Sequence, residues 1–269
     1  MTNISPDKKI AVIGGGNMGG AIARGIVKAG VASPAQITIT RRNTVALDSW
    51  KADGFCTSTD NNVAVKGADI VVFAVKPYQI KDVISAVRND MRPEALIISI
   101  ATGVSVASLE EWTGANMSVV RVMPNTAAEV GESFTAIVGG SCVSKEQLDF
   151  VQMIFSTIGV ALVVSESQLP ALTALASCGI AHALRYIRAA MLSGIEMGLP
   201  AQMSAEVVAQ TVKGAAQLIL AKHSHPETEI DKVCTPAGVT ITGINDMEHA
   251  GFLSAVMRGM MGSYNKIVK

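Results

Sequence analysis

The sequence predicts an α/β protein in which an N-terminal, Rossmann-type doubly wound sheet is followed by an all-helical C-terminal dimerisation domain. Short β-branched runs alternate with helical patterns as far as about residue 164, and this alternation is typical of βαβ units and a parallel sheet. From Glu166 onward strand signals cease, while Met, Ala and Leu recur at helical spacing. We therefore predict a cofactor-binding sheet domain at residues 1–164 and a helical domain at residues 165–269.

The first βαβ unit contains a glycine-rich turn between two predicted strands. An apolar run at Ile10–Ile13 leads into the segment Gly14–Gly19, which reads GGGNMG, and a helical pattern follows from residue 20 to about residue 29. The second strand is predicted at Ile37–Thr40. This order of strand, Gly-x-Gly-x-x-Gly, helix and strand is the context that a dinucleotide-binding fingerprint requires.

Each glycine of the fingerprint has a physical role. Gly14 allows the tight turn, Gly16 lets a pyrophosphate approach the backbone, and Gly19 lets the helix pack closely on the strand. The helix start then offers free N–H groups and partial positive charge to the phosphates. The simpler alternative is an ordinary glycine-rich turn between a strand and a helix.

The end of the second strand indicates which dinucleotide is bound. An NAD site usually places an acidic residue about 20 residues beyond the glycines, where it holds the ribose 2′-hydroxyl. Here the strand ends in Thr40-Arg41-Arg42-Asn43, without an acid at its tip. Two guanidinium groups with forked donors suit a 2′-phosphate instead, so NADP(H) is favoured and NAD(H) is the weaker alternative. A solvated basic loop is the competing interpretation.

Later strands are predicted to end in short loops at one edge of the sheet. After a helix at residues 44–52, a short strand near Phe55 and a polar loop at Thr57–Asn62, three apolar strands follow. These strands and the loops after them are Ala68–Val75 with Lys76-Pro77, Leu96–Ile100 with Ala101-Thr102-Gly103, and Met117–Val122 with Met123-Pro124-Asn125-Thr126. Ligands of open α/β sheets bind beyond the carboxyl ends of the strands, so we expect the nicotinamide there unless these are ordinary turns. Strand, helix and strand within residues 133–164 complete the sheet.

The C-terminal part is predicted to be helical throughout. Helices are expected at about Gln168–Met197, Ala201–Ala221, Thr240–Glu248 and Phe252–Ile267. The first helix is apolar almost all round, so it must be buried on most sides, and we expect a homodimer or a higher multiple of dimers to bury it. The recurring methionines are expected to be core or dimer contacts rather than metal ligands; they are Met191, Met197, Met203, Met257, Met260 and Met261.

Composition narrows the class of protein. The chain has 269 residues, of which 49% are hydrophobic, and its 22 basic residues balance 22 acidic ones, so neither nucleic acid nor an anionic membrane is an expected partner. The four cysteines are far apart and the four histidines form no metal-spaced cluster, so no metal site is predicted. The first residues, MTNISPDKK, lack a signal peptide's apolar region, and we expect a cytoplasmic protein.

A second candidate site opens a helix in the C-terminal part. In Cys234–Thr240, Thr235 is the predicted N-cap, Pro236 suits the first turn, and the following backbone donors could hold an anion. A plain capped helix start is the alternative. Two-domain hydroxyacid dehydrogenases place a proton-shuttling Lys on the first long helix, yet Leu169–Pro200 contains no Lys. An activated substrate such as a protonated imine needs no strong acid, only hydride alignment, a carboxylate holder and a hydrogen bond to nitrogen.

Taken in order, these motifs resemble those of the pyrroline-5-carboxylate reductase family, the last enzyme of proline biosynthesis. They extend over nearly the whole chain as IGGGNMG (13–19), AVKP (74–77), SIATGV (99–104), RVMPNTAAEVGE (121–132), MGLP (197–200), GAAQLIL (214–220), HPE (225–227) and DKVCTPAGVTITGINDMEHAGF (231–252). The resemblance implies that NADPH or NADH reduces 1-pyrroline-5-carboxylate, a cyclic imino acid, to L-proline. It also implies a Rossmann domain and a helical domain that interlocks with a second subunit, often in larger rings of dimers.

The resemblance also assigns site residues by position. The cofactor contacts are Gly14, Gly16, Asn17, Met18, Gly19, Arg41, Arg42, Asn61, Ala74, Val75, Lys76, Pro77, Ile100, Ala101 and Thr102. The substrate contacts are Glu166, Thr235, Ala237, Gly238, Val239 and Thr240. Thr240 occupies the position that hydrogen-bonds the ring nitrogen and is the predicted catalytic residue, and Glu166 matches an acidic residue near the substrate amine.

Two segments depart from the family pattern. The substrate loop usually reads Ser-Pro-Gly-Gly-Thr/Ala-Thr, so Thr235, Ala237 and Val239 differ here. Thr keeps the hydroxyl of Ser, and Ala237 is expected to have φ below zero because an alanine is strained elsewhere. The first long helix usually carries Ser-Gly-Ser-Gly-Pro-Ala-Tyr where this chain has Ala176–His182. His182 replaces a pocket Tyr or is a core histidine, and we expect the second.

Three functions are consistent with these residues. The leading hypothesis is NADPH-dependent reduction of pyrroline-5-carboxylate. The altered Ala176–His182 segment leaves open a paralogue that reduces another cyclic imine or a small keto acid. A catalytically silent NADP-binding dimer is the third hypothesis, although the intact Thr240 and glycine turn count against it.

Overall fold

The computed structural model describes residues 7–114 and 116–268, which divide into two compact units, one ending at Ser177 and one beginning at Cys178. This division reflects compactness alone, and the domain boundary after residue 164 stays a prediction. The N-terminal residues 1–6, which belong to the segment judged to lack a signal peptide, lie outside the described residues.

The N-terminal unit is organised around a single sheet. Its strands are β1 (Ile10–Ile13), β2 (Ile37–Thr40), β3 (Cys56–Ser58), β4 (Ile70–Phe73), β5 (Leu96–Ser99), β6 (Ser118–Met123), β7 (Ser133–Gly139) and β8 (Gly159–Val163). Within the described residues they form one eight-stranded sheet in the order β3-β2-β1-β4-β5-β6-β7-β8. Only the β6–β7 pair is antiparallel among these pairings. The strand order reverses between β1 and β4, which is the switch point where doubly wound sheets bind dinucleotides.

Helices cover both faces of this sheet. They are α1 (Asn17–Lys28), α2 (Val45–Ala52), α3 (Asn61–Val65), α4 (Ile80–Val87), α5 (Val106–Thr113), α6 (Lys145–Ser156) and α7 (Leu169–Leu172), with 3-10 turns at Pro34–Gln36, Pro77–Gln79, Thr126–Val130 and Glu166–Gln168. Successive strand residues point to opposite faces, so Ile10 and Val12 join one buried cluster while Ala11 and Ile13 join the other. Burial on both faces explains the continuous apolar runs in the sequence.

The C-terminal unit consists of helices within its described residues. They are α8 (Cys178–Glu196), α9 (Ala201–Lys222), α10 (Pro226–Val233), α11 (Val239–His249) and α12 (Phe252–Val268). A side chain at Gly194 of α8 would meet the Ser204 hydroxyl of α9 at 2.7 Å, so the two helices approach closely there. Gly194 and Ser204 are also the only buried residues in the described part of these five helices.

The C-terminal helices therefore expose much apolar surface in the single chain. Met197, Met203, Met257 and Met261 are each at least half exposed, so of the two expected roles, core or dimer contact, these four do not fill the first within one chain, and the second stays a prediction.

Several element boundaries differ from the sequence-based expectation. Helix α1 begins at Asn17 rather than residue 20. The loop predicted at Thr57–Asn62 is wrong, because β3 ends at Ser58 and the Asp60 side chain caps α3 by accepting from the Asn62 N–H. The predicted long helix is interrupted by a π-helix at Thr173–Ser177.

Candidate active site

A cleft of about 910 Å³ opens at the carboxyl ends of the central strands of the N-terminal unit. It is lined by every residue predicted to contact the cofactor except Gly19: Gly14, Gly16, Asn17, Met18, Arg41, Arg42, Asn61, Ala74, Val75, Lys76, Pro77, Ile100, Ala101 and Thr102. The fold therefore brings together residues that are as far apart as 14 and 102 in the chain.

The glycines shape the floor of this cleft. Gly14 has φ +106°, and a Cβ there would lie 2.7 Å from the Ala74 carbonyl oxygen at the end of β4, so both backbone conformation and space require glycine. A Cβ on Gly19 would collide with the Gly14 carbonyl oxygen. Gly19 thus lets α1 pack against the turn and does not itself line the cleft.

The start of α1 is open to an anion. A Cβ on Gly16 would meet nothing within 4 Å, which leaves room for a ligand against the backbone. Gly16 is the N-cap, has no side-chain hydrogen bond in that role, and is followed by a first turn without acidic residues. The first N–H groups of α1 therefore offer the unsatisfied donors that bind phosphate in dinucleotide folds.

One end of the cleft is basic. Arg41 and Arg42 follow β2 and line the cleft together with Thr59 and Asn61. Both arginine residues are exposed. Within residues 7–114 and 116–268 no ion pair occupies either guanidinium. Their donors are free for a phosphate group.

The other end of the cleft lies at the loops after β5 and β6. Ile100, Ala101 and Thr102 lie there with Pro124 and Asn125. Gly15, Thr59, Gln79, Val83, Thr126, Glu129 and Ser177 also line the cleft and were not among the predicted contacts. The loop after β6 was recognised as a strand end. Glu129 and Ser177 lie in segments that were compared with the family pattern, at 121–132 and 176–182, but neither residue was predicted to contact the cofactor.

Glu166 is engaged within the N-terminal unit. Its Oε1 accepts hydrogen bonds from Arg121 Nη1 of β6 and from the backbone N–H of Val106 at the start of α5, each at 2.8 Å. The Arg121 side chain is only 12% exposed, so this carboxylate balances a largely buried charge. A contact of Glu166 with substrate stays a prediction.

The predicted substrate loop forms a β-turn in the C-terminal unit. The Gly238 N–H donates to the Thr235 carbonyl at 2.9 Å, with Pro236 and Ala237 at the central positions. Ala237 has φ +58°, so the expected negative φ is wrong. A turn with proline at the second position commonly needs a positive φ at the third, and the hydrogen bond imposes it on alanine.

Helix α11 begins directly after this turn. Its N-cap is Gly238, with φ −74° and ψ 161°, and not Thr235 as expected, because residues 235–238 are used by the turn. Thr240 is the second residue of α11, and Val239 is 90% exposed. No side chain caps the helix start, which leaves backbone donors beside the Thr240 position.

His182 has an apolar neighbour in the C-terminal unit. Its Nδ1 lies 3.1 Å from Met260 Sδ, and the histidine is partly buried. This contact fits a packing role between α8 and α12.

Glu229 of α10 forms ion pairs with two lysines, one within α10 and one at the end of α9. Glu229 Oε1 lies 2.6 Å from Lys232 Nζ, and its Oε2 lies 3.4 Å from Lys222 Nζ at the end of α9. The hydrogen bond from Lys232, followed by the Ser224 hydroxyl and then by Lys222, lowers the pKa of Glu229 to about 2.

Among the described residues, no group of three His, Cys, Asp or Glu side chains is arranged to hold a metal ion. None of the described helices combines the length and apolar character needed to cross a membrane.

Comparison with known families gives two matches. Residues 166–269 match the family described as pyrroline-5-carboxylate reductase dimerisation, and residues 9–103 match NADP oxidoreductase, coenzyme F420-dependent. The first match covers α8–α12 and the residues just before them, and the second covers strands β1–β5 of the sheet.

Curated relatives match over nearly the full chain. Pyrroline-5-carboxylate reductase from Methanosarcina acetivorans is 38% identical over 95% of this chain and 95% of its own length. Pyrroline-5-carboxylate reductase 1 from Dictyostelium discoideum is also 38% identical, over 97% of this chain but only 49% of its own length. The chain thus spans about half of that second relative.

Solved structures agree with the sequence matches. A pyrroline-5-carboxylate reductase from Coxiella burnetii superposes with a TM-score of 0.89 at 30% identity, covering 97% of both chains. The Plasmodium falciparum pyrroline carboxylate reductase, solved with NADP bound, gives a TM-score of 0.87 at 26% identity over 97% of both chains.

Proposed function

This chain belongs to the pyrroline-5-carboxylate reductase family, and on that premise we propose that it reduces 1-pyrroline-5-carboxylate to L-proline with hydride from NADPH. The observation that supports the proposal most directly is the cleft of the N-terminal unit. There, free α1 donors and two free guanidiniums share one cavity with the backbone loops after β5 and β6.

The residues of the cleft fit NADPH. The open space at Gly16 and the free N–H groups of α1 suit the pyrophosphate. Arg41 and Arg42 would hold the 2′-phosphate, for which forked donors are well matched. When bound, the cofactor supplies a hydride, and the protein supplies its orientation.

The turn at Thr235–Gly238 and the start of α11 would hold the substrate. Backbone donors at a helix start favour a carboxylate, and the hydroxyl of Thr240 would hydrogen-bond the imine nitrogen as it becomes an amine. An imine that is protonated at nitrogen already carries the proton of the product amine and has an electrophilic carbon, so hydride alignment and this single hydrogen bond meet the chemical need. We assign Thr235, Ala237, Gly238, Val239 and Thr240 to this role.

The assembly and setting belong to the same proposal. The match to a dimerisation family over residues 166–269 and the exposed apolar helices support a homodimer, or a larger multiple of dimers. We propose a cytoplasmic enzyme of proline biosynthesis that works on a small molecule, with no nucleic-acid or membrane partner.

The test measures the oxidation of NADPH by the purified protein as a loss of absorbance of the reduced nicotinamide. With 1-pyrroline-5-carboxylate we expect turnover of about 1–1,000 per second. Thr240→Ala should lower kcat roughly tenfold to a thousandfold, since a hydrogen bond formed in the transition state is lost, and Thr240→Ser should restore most of it.

Thr211→Ala is the matched control, because the Thr211 hydroxyl only donates to the Val207 carbonyl within α9. Its kcat should equal that of the unmodified protein. NADPH binding without turnover of this imine would contradict the proposed reaction and direct attention to another imine, a keto acid or a silent protein.

A further inference from the structure

The helix that follows the sheet is interrupted where it reaches the cofactor cleft. Thr173–Ser177 form a π-helix between α7 and α8, and Ser177, its last residue, lines the cleft. The Thr173 hydroxyl donates to the Leu169 carbonyl at 2.7 Å and so competes for an acceptor of the regular helical ladder. Such interruptions are frequent at functional sites.

A buried asparagine holds this π-helix from outside. Asn125 follows β6 and is only 7% exposed. Its Nδ2 donates to the Ala176 carbonyl at 3.1 Å, and its Oδ1 accepts from the Ala127 N–H at 3.1 Å. The amide therefore connects the loop after β6 to the residue just before Ser177.

The amide can do this in one orientation only. A flipped side chain would direct oxygen at the Ala176 carbonyl and NH₂ at the Ala127 N–H, and both hydrogen bonds would be lost. Because unpaired buried polar groups are costly, the loop and the π-helix are fixed relative to each other. This fixes the backbone on the N-terminal side of Ser177.

Ser177 has unused hydrogen-bonding capacity. Its hydroxyl has no hydrogen-bond partner within the part of the chain that the structure describes, although the residue is partly buried. It lines the cleft together with Thr102 and Asn125 after β5 and β6. The arginines that would hold the 2′-phosphate follow β2, on the other side of the switch point. Ser177 therefore lies toward the nicotinamide half of an extended cofactor.

We propose that Ser177 binds the carboxamide of the nicotinamide and that Asn125 is its positioning residue, acting through the Ala176 carbonyl. A hydroxyl is both donor and acceptor, and it therefore complements either polar atom of a carboxamide. This inference rests on the NADPH site proposed above and is independent of which imine is reduced.

Equilibrium binding to the full-length protein tests the proposal without any imine. The two probes are NADPH and 2′-phospho-ADP-ribose, which keeps every part of the cofactor except the nicotinamide. Ser177→Ala should raise the Kd for NADPH about threefold to tenfold, as expected for one neutral hydrogen bond, and leave the Kd for 2′-phospho-ADP-ribose unchanged.

Asn125→Ala should show the same selective loss. If Asn125 acts through Ser177, the double variant should bind NADPH no more weakly than the weaker single variant, because coupled sites are not additive. Gln152→Ala is the matched control, since the Gln152 amide also donates to an alanine carbonyl, Ala161 of β8, at 2.8 Å. It should change neither Kd.

Three outcomes would overturn the inference. They are an unchanged Kd for NADPH in Ser177→Ala, equal weakening of both probes, and additive losses in the double variant. A protein that shows the selective pattern but fails to reduce 1-pyrroline-5-carboxylate would support this inference while contradicting the proposed reaction.

Discussion

At the scale of the residue, Ala237 shows how a tertiary requirement overrides a local preference. Alanine in the left-handed region costs about 1–2 kcal/mol, yet the turn hydrogen bond between Thr235 and Gly238 holds it at φ +58°. Sequence alone favoured a negative φ, because it supplies the preference of the side chain and not the geometry of the turn.

We expect Ala237→Gly to leave stability unchanged or to raise it by up to about 1 kcal/mol. The relieved strain exceeds or offsets the roughly 0.4–1 kcal/mol that glycine adds to unfolded-state entropy. Urea denaturation at fixed protein concentration measures the difference. Ala250→Gly, at a residue with φ −77°, should lose about 0.5–1 kcal/mol; equal losses at both positions would show that Ala237 is unstrained.

A second prediction at this scale concerns Arg41 and Arg42 at the basic end of the cleft. Replacing Arg41 and Arg42 together by Ala should raise the KM for NADPH roughly tenfold to a hundredfold, as charge-assisted hydrogen bonds are lost. The KM for NADH should change little, because NADH has no 2′-phosphate. Steady-state kinetics with both cofactors decide the matter.

Arg88→Ala is the control for that double variant, since Arg88 is exposed at the end of α4 and outside the cleft. A similar rise in KM for both cofactors would place the two arginines outside phosphate recognition.

At the scale of the element, Glu166 links strand β6, the start of α5 and the 3-10 turn at Glu166–Gln168. Glu166→Gln leaves Arg121, which is 12% exposed, without its charge partner. We expect a loss of about 1–2 kcal/mol, between the values for exposed and buried pairs. Glu94→Gln, which removes a 3.9 Å exposed pair with Arg92, should cost less than about 0.5 kcal/mol.

The same variant separates two roles of Glu166. If the carboxylate has only a structural role, Glu166→Gln should lower the stability of the protein and leave the KM for the imine unchanged. A selective rise in that KM, with stability preserved, would instead favour the predicted contact with the substrate amine.

We expect the stabilisation that Glu229 of helix α10 provides to be lost at low pH. Its pKa is lowered to about 2, so the folded state binds this proton more weakly than the unfolded state, whose pKa is near 4.5. The stabilisation is therefore fully present above about pH 4.5 and is lost as the pH falls toward 2. Melting temperatures of the protein and of Glu229→Gln should differ at neutral pH and converge across this window; a constant difference would contradict the assignment.

Elements with strong local signals were predictable, and elements defined by distant contacts were not. The strands at Ile10–Ile13 and Ile37–Thr40 were placed correctly because the first is continuously apolar, as buried parallel strands are, and the second consists of β-branched residues. Helix α3 was missed because it is short and begins in a polar segment capped by Asp60. The π-helix accepts a hydrogen bond from Asn125, which is 51 residues away from Ala176, and no local pattern reports such a contact.

At the scale of the whole molecule, the exposed helices predict self-association. Leu253 and Met257 lie one turn apart on α12 and are 59% and 60% exposed. Replacing both by Asp should shift a dimer, or a multiple of dimers, toward monomer in sedimentation velocity, because charges are poorly accommodated in an apolar interface. The unmodified protein should also melt at a temperature that rises with its concentration.

Val63→Asp is the control for that experiment, because Val63 is 64% exposed on α3 of the N-terminal unit. It adds the same kind of charge at an exposed apolar position and should leave the oligomer intact. A monomer at all concentrations for the unmodified protein would contradict the proposed assembly.

The sequence also predicted the order of sheet and helices in the whole chain, since the change in periodicity near Glu166 is visible directly. It did not predict that β7 runs antiparallel to β6. The loop between them, which includes the 3-10 turn at Thr126–Val130, is too short for a crossover helix, and a reversal of direction follows from that length.

The division of the chain after Ser177 also sets the order in which the two units are synthesised. On a ribosome the glycine turn and all eight strands emerge before any residue of α8–α12. Chains emerge at about 5–20 residues per second, and N-terminal units generally fold first. We therefore expect the nucleotide cleft to form while the apolar helices are still being synthesised. A nascent chain would then meet cellular NADPH before it meets a second subunit.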